Sequence, residues 1–391
     1  MANMDGRDLS LDLIEEIFSR VPAKSIARFR STSKQWNALL KSVSFAKKHS
    51  ANAPKEESLF IMLMDSRVFI LKVNLHGIYD GCDPSAKVGH QFNLKDPRSS
   101  EVDSQVDIRN VFHCDGLFLC TTMDNRLVVW NPCLGETNWI KPRESYKKTD
   151  CYALGYDNDR SYKILRVDRQ YSVLTTKNEY EVYDLTSNSW RVLGVATDWV
   201  LPKHFRGICV NGNAFWVAAR RSFGYFLQSF DFSTEMFQSQ SFPHPFPFGN
   251  PSLSVVGEEQ LCLLGTNSSP YGRSDNFKVW VATSVGTGLS WRNSIAASNR
   301  KSKYKSYYVY NFFQGMSFLA DELNNVIVYL SLDNILRIVG NNYHTQVENL
   351  GGGSIQSCSV LMNYVPSLAQ ISNKVNSLPG GSEREAPSTS T

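Results

Sequence analysis

Trp130-Asn131-Pro132-Cys133-Leu134-Gly135 closes an apolar run with a bulky aromatic, turns at once, and leads back through a second bulky residue, Trp139. The arrangement recurs at Tyr183-Asp184-Leu185-Thr186-Ser187-Asn188, returning to Trp190, and at Phe230-Asp231-Phe232-Ser233-Thr234, returning to Phe237. After Trp280 a longer connection reaches Trp291, and Tyr329 is the fifth aromatic of the series, with successive separations of 53, 47, 50 and 49 residues. A repeat of about 50 residues with several strands per unit predicts kelch-like β-propeller blades. One such blade cannot bury both of its faces, so neighbours must stack around a central axis.

Working outward, Leu59–Met64 and Val68–Val73 are apolar runs separated by Asp65-Ser66-Arg67, which predicts a hairpin and the start of one more unit, for about six blades. Ser357–Tyr364 alternates around Val360 and Met362 and is placed to return and close the ring. Residues 76–105 are rich in Gly, Asp, Pro and Ser and read as a long surface loop. Past Pro366 the chain turns to Ser, Asn, Gly and Pro, the composition of a disordered tail.

Before Leu59 the period is different. Leu13, Ile17 and Val21 repeat at i, i+4 and i+8 with Ile14 and Phe18 beside them, giving a first helix with a broad apolar face that Pro22 ends. A second helical piece runs from Lys24 to Phe29. Ser31 or Ser33 can cap a third, with Trp36, Leu39, Leu40 and Val43 as its apolar positions. A three-helix unit of about forty residues is small for a self-sufficient core and must lean on a partner or on the rest of the chain. The expected organisation is a helical module over 1–50, a linker over 51–57, an all-β propeller over 58–366 and a tail over 367–391.

Leu9, Leu13, Ile17, Val21-Pro22, Ser25, Arg28 and Ser33-Lys34-Gln35-Trp36 resemble the F-box, the motif that docks substrate receptors on the Skp-type adaptor of a cullin-RING ubiquitin ligase. Members usually carry proline after the first leucine; this chain has Ser10, which implies a less rigid first turn. Cys114-Asp115-Gly116-Leu117, Val129-Trp130-Asn131-Pro132, Tyr156-Asp157, Val210-Asn211-Gly212 through Trp216, and Ser229-Phe230-Asp231 resemble, in that order, the F-box-associated domain of plant F-box proteins. The resemblance implies a non-catalytic substrate receptor. Its adaptor contacts would be Leu9, Leu13, Ile17, Val21 and Pro22; its partners would be the Skp-type subunit, through it cullin and the RING subunit, and a target protein held by the propeller.

Composition narrows the alternatives. Residues 1–50 hold nine Lys and Arg against five Asp and Glu, which accounts for the whole net charge of +4, so the large domain carries no basic excess of the kind nucleic-acid binding needs. Eight scattered cysteines without a Cys-x-x-Cys pair argue against zinc, and no run reaches the roughly 18 apolar residues of a membrane span. With Met1–Arg7 too short and polar for a secretory leader, the expected location is cytoplasm or nucleus with reduced thiols. Seven histidines stand in dissimilar contexts, none three or four residues from another, and Gly351-Gly352-Gly353 lacks the Lys-Ser/Thr ending of a phosphate loop. No cofactor is expected.

For a binding module, aromatics and arginines on exposed connections are the residues to seek. Three stretches qualify: Trp199 with Arg206, Arg220-Arg221, and the proline-rich run around Phe246, which cannot enter a central strand. Arg206, Arg220 and Arg221 suit an acidic or phosphorylated target. Each aromatic has a plainer reading as filler between blades, and the basic run Arg300–Lys305 reads as a solvated loop. The rivals to a ligase receptor are an F-box-like module that binds its partner outside any ligase, and a propeller enzyme with a helical extension.

Overall fold

The computed structural model describes residues 9–54, 59–75, 84–100, 104–171, 176–202, 206–220, 224–246, 251–256, 259–268, 275–285, 288–299, 317–330, 335–341, 343–349 and 360–371. Four helices come first: α1 (Leu11–Ser19), α2 (Ala23–Phe29), α3 (Lys34–Leu40) and α4 (Val43–Asn52). Val43, expected on the third helix, instead starts a fourth, because Ser42 interrupts α3 and caps α4 by accepting the Phe45 N–H at 3.1 Å. The helical module therefore runs two residues past 50.

The period-2 segments form six antiparallel four-stranded sheets. Blade I joins β24 (Val360–Tyr364) to β1 (Leu59–Met64), β2 (Arg67–Asn74) and β3 (Ser85–Phe92). Blade II is β4 (Ile108–Cys114) to β7 (Glu136–Ile140), blade III β8 (Cys151–Tyr156) to β11 (Ser189–Leu193), and blade IV β12 (Ile208–Val210) to β15 (Met236–Gln240). Blade V is β16 (Ser252–Val256) to β19 (Gly288–Asn299), and blade VI β20 (Phe318–Asp321) to β23 (Tyr343–Asn349). The ring closes as expected, Tyr364 opposite Leu59 and Met362 opposite Ile61. Apolar clusters fill the seams between neighbouring blades all the way round.

The aromatic repeat marks the third strand of blades II to V, where Trp130, Tyr183, Phe230 and Trp280 are all buried at the seams. In blade VI the register slips: Tyr329 lies on β21 (Val326–Leu330), the second strand, although it too is buried. The turn formers act as the sequence implies. The side-chain oxygens of Asn131, Asp184 and Asp231 each accept two backbone N–H groups of the following turn.

Two expectations need correction. Residues 76–105 are not one loop, since Ser85–Phe92 pairs with β2 as β3 and turns Ala86 and Val88 onto the seam with blade VI; its polar alternate face is that of an outermost strand. The boundary at 366 also falls too early, because Leu368 and Ile371 are 3% and 4% exposed. Residues 372–391, Arg300–Lys305 and Gly351-Gly352-Gly353 lie outside the described residues.

In blades II to VI the chain enters at the innermost strand, and in blade I that place is taken by β24, the last strand of the chain; counted outward, the first-to-second and third-to-fourth turns share one face of the disc and the remaining connections share the other. The helices sit on the first of these faces. Leu368, Cys133 and Leu134 pack into the helical core of Phe18, Ile26, Leu40 and Phe45, and the Arg30 guanidinium meets Glu136 at 2.7 Å. This is how so small a helical unit completes its core.

Candidate docking surfaces

In α1 the two apolar groups of residues separate. Phe18, with Ile14 and Val21, turns inward: its ring stacks on Phe29 at 5.3 Å and takes the edge of Trp36 at 5.0 Å. Leu9, Leu13 and Ile17 turn outward and are 57%, 53% and 50% exposed. Leu11, not singled out from the sequence, is 48% exposed on the same helix, and Pro22 is exposed at its end. Val21 lies past the end of α1, outside the helical stripe its i, i+4, i+8 spacing suggests, and is half-buried against the module's own core. Leu13 and Ile17 on the outer side of the helix, with Leu9 just before its N-cap, form a solvated aliphatic stripe on a helix packed on its other side, a surface short of a partner. Burying the exposed half of each contributes about 1 kcal/mol by area.

Ser10 gives this stripe its start. Its hydroxyl accepts the Leu13 N–H at 3.3 Å as the N-cap, a bond proline could not provide, and Asp12 lies in the first turn where the helix dipole favours negative charge. The first turn is thus fixed by a cap, where the sequence comparison implied looseness.

The second surface is the face opposite the helices. Trp199, Arg206 and Phe246 lie on connections of that face and Arg220 ends β13 at it, while Arg221 lies outside the described residues. Their environments differ. Trp199 is 3% exposed, packed between Tyr180 at 6.0 Å and Phe237 at 5.3 Å with its carbonyl accepting from Asn178, so it fills the seam of blades III and IV and offers no docking area. Arg206 lines the central channel. Arg220 lies over the Phe226 ring at 4.4 Å and pairs with Asp198 at 3.0 Å, half-exposed at the rim. Phe246 is half-buried against Trp280 at 5.2 Å and Phe242 at 4.9 Å, beside a groove of about 870 Å³ bounded by Phe242, His244, Trp280 and Trp291.

Sequence reading missed a charged network on this face. Arg166, 5% exposed, donates to Asp150 at 2.9 Å, to Glu181 at 2.8 Å and to the Ser145 carbonyl at 3.0 Å, and Arg143 reaches the other Glu181 oxygen at 2.8 Å. It pins the connection between blades II and III. The available signal was charge alternating with apolar residues along Ile164-Leu165-Arg166-Val167-Asp168 in a strand otherwise buried.

Between the two faces runs a channel of about 510 Å³, lined by innermost-strand residues such as His113, Ser252, Ser254 and Asn363, and bordered at the helical end by Ala23, Ala46 and His49. Burial holds the His113 imidazole down to about 4, and its Nε2 accepts the Gly116 N–H at 3.1 Å. Among the described residues no three His, Cys, Asp or Glu side chains gather as a metal site, and no helix is long and apolar enough to cross a membrane.

Comparison with known families agrees with this geometry. The F-box associated beta propeller domain matches residues 59–371, four-fifths of the chain, and the F-box domain matches residues 7–48. The chain belongs to the F-box proteins with an F-box-associated β-propeller. Its relatives include the putative F-box protein At3g23260 of Arabidopsis thaliana, 51% identical with 94% of this chain and 100% of the relative covered. The putative F-box protein At3g21130 of the same plant is 47% identical with 94% and 98% covered. The F-box/kelch-repeat protein At3g17530, also from Arabidopsis thaliana, is 38% identical with 96% and 99% covered. In this F-box protein the outward stripe of α1 belongs to the F-box, and the opposite face belongs to the propeller.

Proposed function

We propose that this chain is the substrate-recognition subunit of a Skp–cullin–F-box ubiquitin ligase, acting in the cytoplasm or nucleus. The observation that carries the reading is the outward stripe of Leu13 and Ile17 on α1, with Leu9 just before its N-cap, left half-solvated on a helix whose other side is packed. The Skp-type adaptor covers that stripe and, through it, cullin and the RING subunit are recruited. The propeller face opposite the helices holds the target protein, with Arg220 and the Phe242–Phe246–Trp280 aromatic group as its described contacts.

In this role the chain supplies no bond chemistry. Holding the target's lysines near a charged ubiquitin-conjugating enzyme converts an encounter between separate molecules into one within a complex, and the gain is effective concentration. The strap at Ser367–Ile371, packed between helices and blade II, supports this by fixing the distance between the two ends.

The test is co-purification of the full-length chain with a Skp-type adaptor and cullin, beside a chain beginning at residue 58. Retention by the full chain alone is expected. A folded full chain that fails to retain the adaptor refutes the receptor role and leaves a binding module that works outside a ligase.

A further inference from the structure

Cys114 ends β4, the innermost strand of blade II, and Cys209 is the middle residue of β12, the innermost strand of blade IV. Ninety-five residues apart in sequence, their sulfurs stand 2.8 Å from each other, and both cysteines are free. The turns Asp115-Gly116 and Asn211-Gly212 explain the approach. All four residues have positive φ, so each innermost strand folds back tightly at the same level of the channel. The sulfurs need move only about 0.8 Å to reach bonding distance, and both residues line the channel.

We propose that Cys114 and Cys209 are a redox-modification site, closing into a reversible disulfide that clasps blade II to blade IV when peroxide enters the channel. The two thiols have unequal roles. Cys114 is 1% exposed and burial pushes its thiol well above the usual range, so it stays protonated and shielded. Cys209 is half-buried on the channel wall and meets the oxidant first. Its thiolate attacks one peroxide oxygen, the O–O bond breaks, and hydroxide leaves with the proton that Cys209 gave up, as water. The Cys114 sulfur then attacks the Cys209 sulfenic sulfur; the S–O bond breaks, and the departing hydroxide takes the Cys114 proton as a second water. Two thiols and one hydrogen peroxide thus give one disulfide and two waters, and a dithiol reductant reverses the change. A bridge spanning so many residues restricts the unfolded chain strongly, so the oxidised form unfolds at a higher temperature.

The experiment treats the purified full-length protein with hydrogen peroxide and counts thiols after denaturation. The expected count falls from eight to six and returns with dithiothreitol, and peptide mapping without reductant finds the Cys114 peptide joined to the Cys209 peptide. In Cys114→Ser, Cys209 stops at the sulfenic acid and is captured by dimedone. In Cys209→Ser, the more tolerant position, the thiol count does not change. Persistence of eight thiols, or dimedone capture of Cys209 in the unsubstituted protein as readily as in C114S, overturns the proposal.

Discussion

Ser367 donates its hydroxyl to the backbone carbonyl of Asp115 at 2.6 Å, joining the segment after β24 to the first turn of blade II. Asn131, at the third turn of the same blade, donates to the Ser367 and Ala369 carbonyls at 3.1 and 3.0 Å. Leu368 enters the F-box core while Ile371 enters the core of blades II to IV. A five-residue strap is therefore shared by both domains, so anything that displaces it loosens the F-box from the propeller.

Gly116 tests that coupling. Its φ is +74°, and a Cβ there would lie 2.5 Å from the Ser367 hydroxyl and 2.9 Å from the Val365 carbonyl. Gly116→Ala adds left-handed backbone strain of about 1–2 kcal/mol to a collision with the strap. The expected result is a lower thermal midpoint and faster proteolysis near residue 367. Adding Ser367→Gly removes the hydroxyl collision but leaves the Val365 one, so the double variant should recover only part of the loss. Equal unfolding temperatures for G116A and the parent protein would show that the strap yields without cost.

The split faces of α1 give substitutions of opposite kind. Leu13→Asp or Ile17→Asp places a charge on the solvated stripe and should abolish adaptor binding while the thermal midpoint stays within about 1 °C, since exposed substitutions usually change stability by less than about 0.5 kcal/mol. Val21→Asp puts a carboxylate against the buried cluster of Phe18, Ile26, Leu40 and Phe45 and should melt the F-box itself. Adaptor binding by titration calorimetry, with circular dichroism on each variant, separates the cases. Retained binding in L13D and I17D would move the adaptor surface elsewhere.

The blades and the F-box were legible in the sequence because both rest on period. Aromatics at the seams recur every turn of the architecture, and Trp130-Asn131-Pro132 carries its turn chemistry openly. What was hidden depends on contacts between distant segments. Val21 and Ile17 look equivalent by spacing, and only Phe29, Trp36 and Leu40 packed behind α1 decide which of them faces inward. β3 was lost because an outermost strand needs one apolar face only, and its neighbours are turn formers. Trp199 reads like a binding aromatic until Tyr180 and Phe237 close on it, and Cys114 and Cys209 meet only once the ring is built.

Trp199 and Arg220 should therefore behave as opposites on the target face. Trp199→Ala removes a buried ring from the seam of blades III and IV and should cost about 3–5 kcal/mol, read in chemical denaturation as a lower midpoint. Arg220→Ala breaks only a partly exposed pair with Asp198 and a stacking contact on Phe226, together about 1 kcal/mol, and should act on target capture instead. Capture by R220A at the parent level would remove Arg220 from the recognition surface.

His113 adds a pH dependence whose sign is fixed by its surroundings. The imidazole is flanked by the Phe118 and Tyr364 rings at 5.8 and 5.7 Å, and its Nε2 is occupied by the Gly116 N–H. Protonation would place a charge there and cost that bond, so the folded protein holds the ring neutral down to about 4, against an ordinary value of 6.5. The unfolded chain takes up its proton first. Stability from this residue is fully present above pH 6.5, declines as the pH falls from 6.5 towards 4, and levels off below, a total of no more than about 3 kcal/mol. His113→Gln keeps an oxygen able to accept from Gly116 but cannot titrate. Its thermal midpoint should fall less steeply than that of the parent protein between pH 6.5 and 4, with the two curves parallel above 7. Parallel curves across the whole range would mean that the folded protein admits the charged ring, and that the channel wall beside the Asp115-Gly116 turn is wetter than its packing implies.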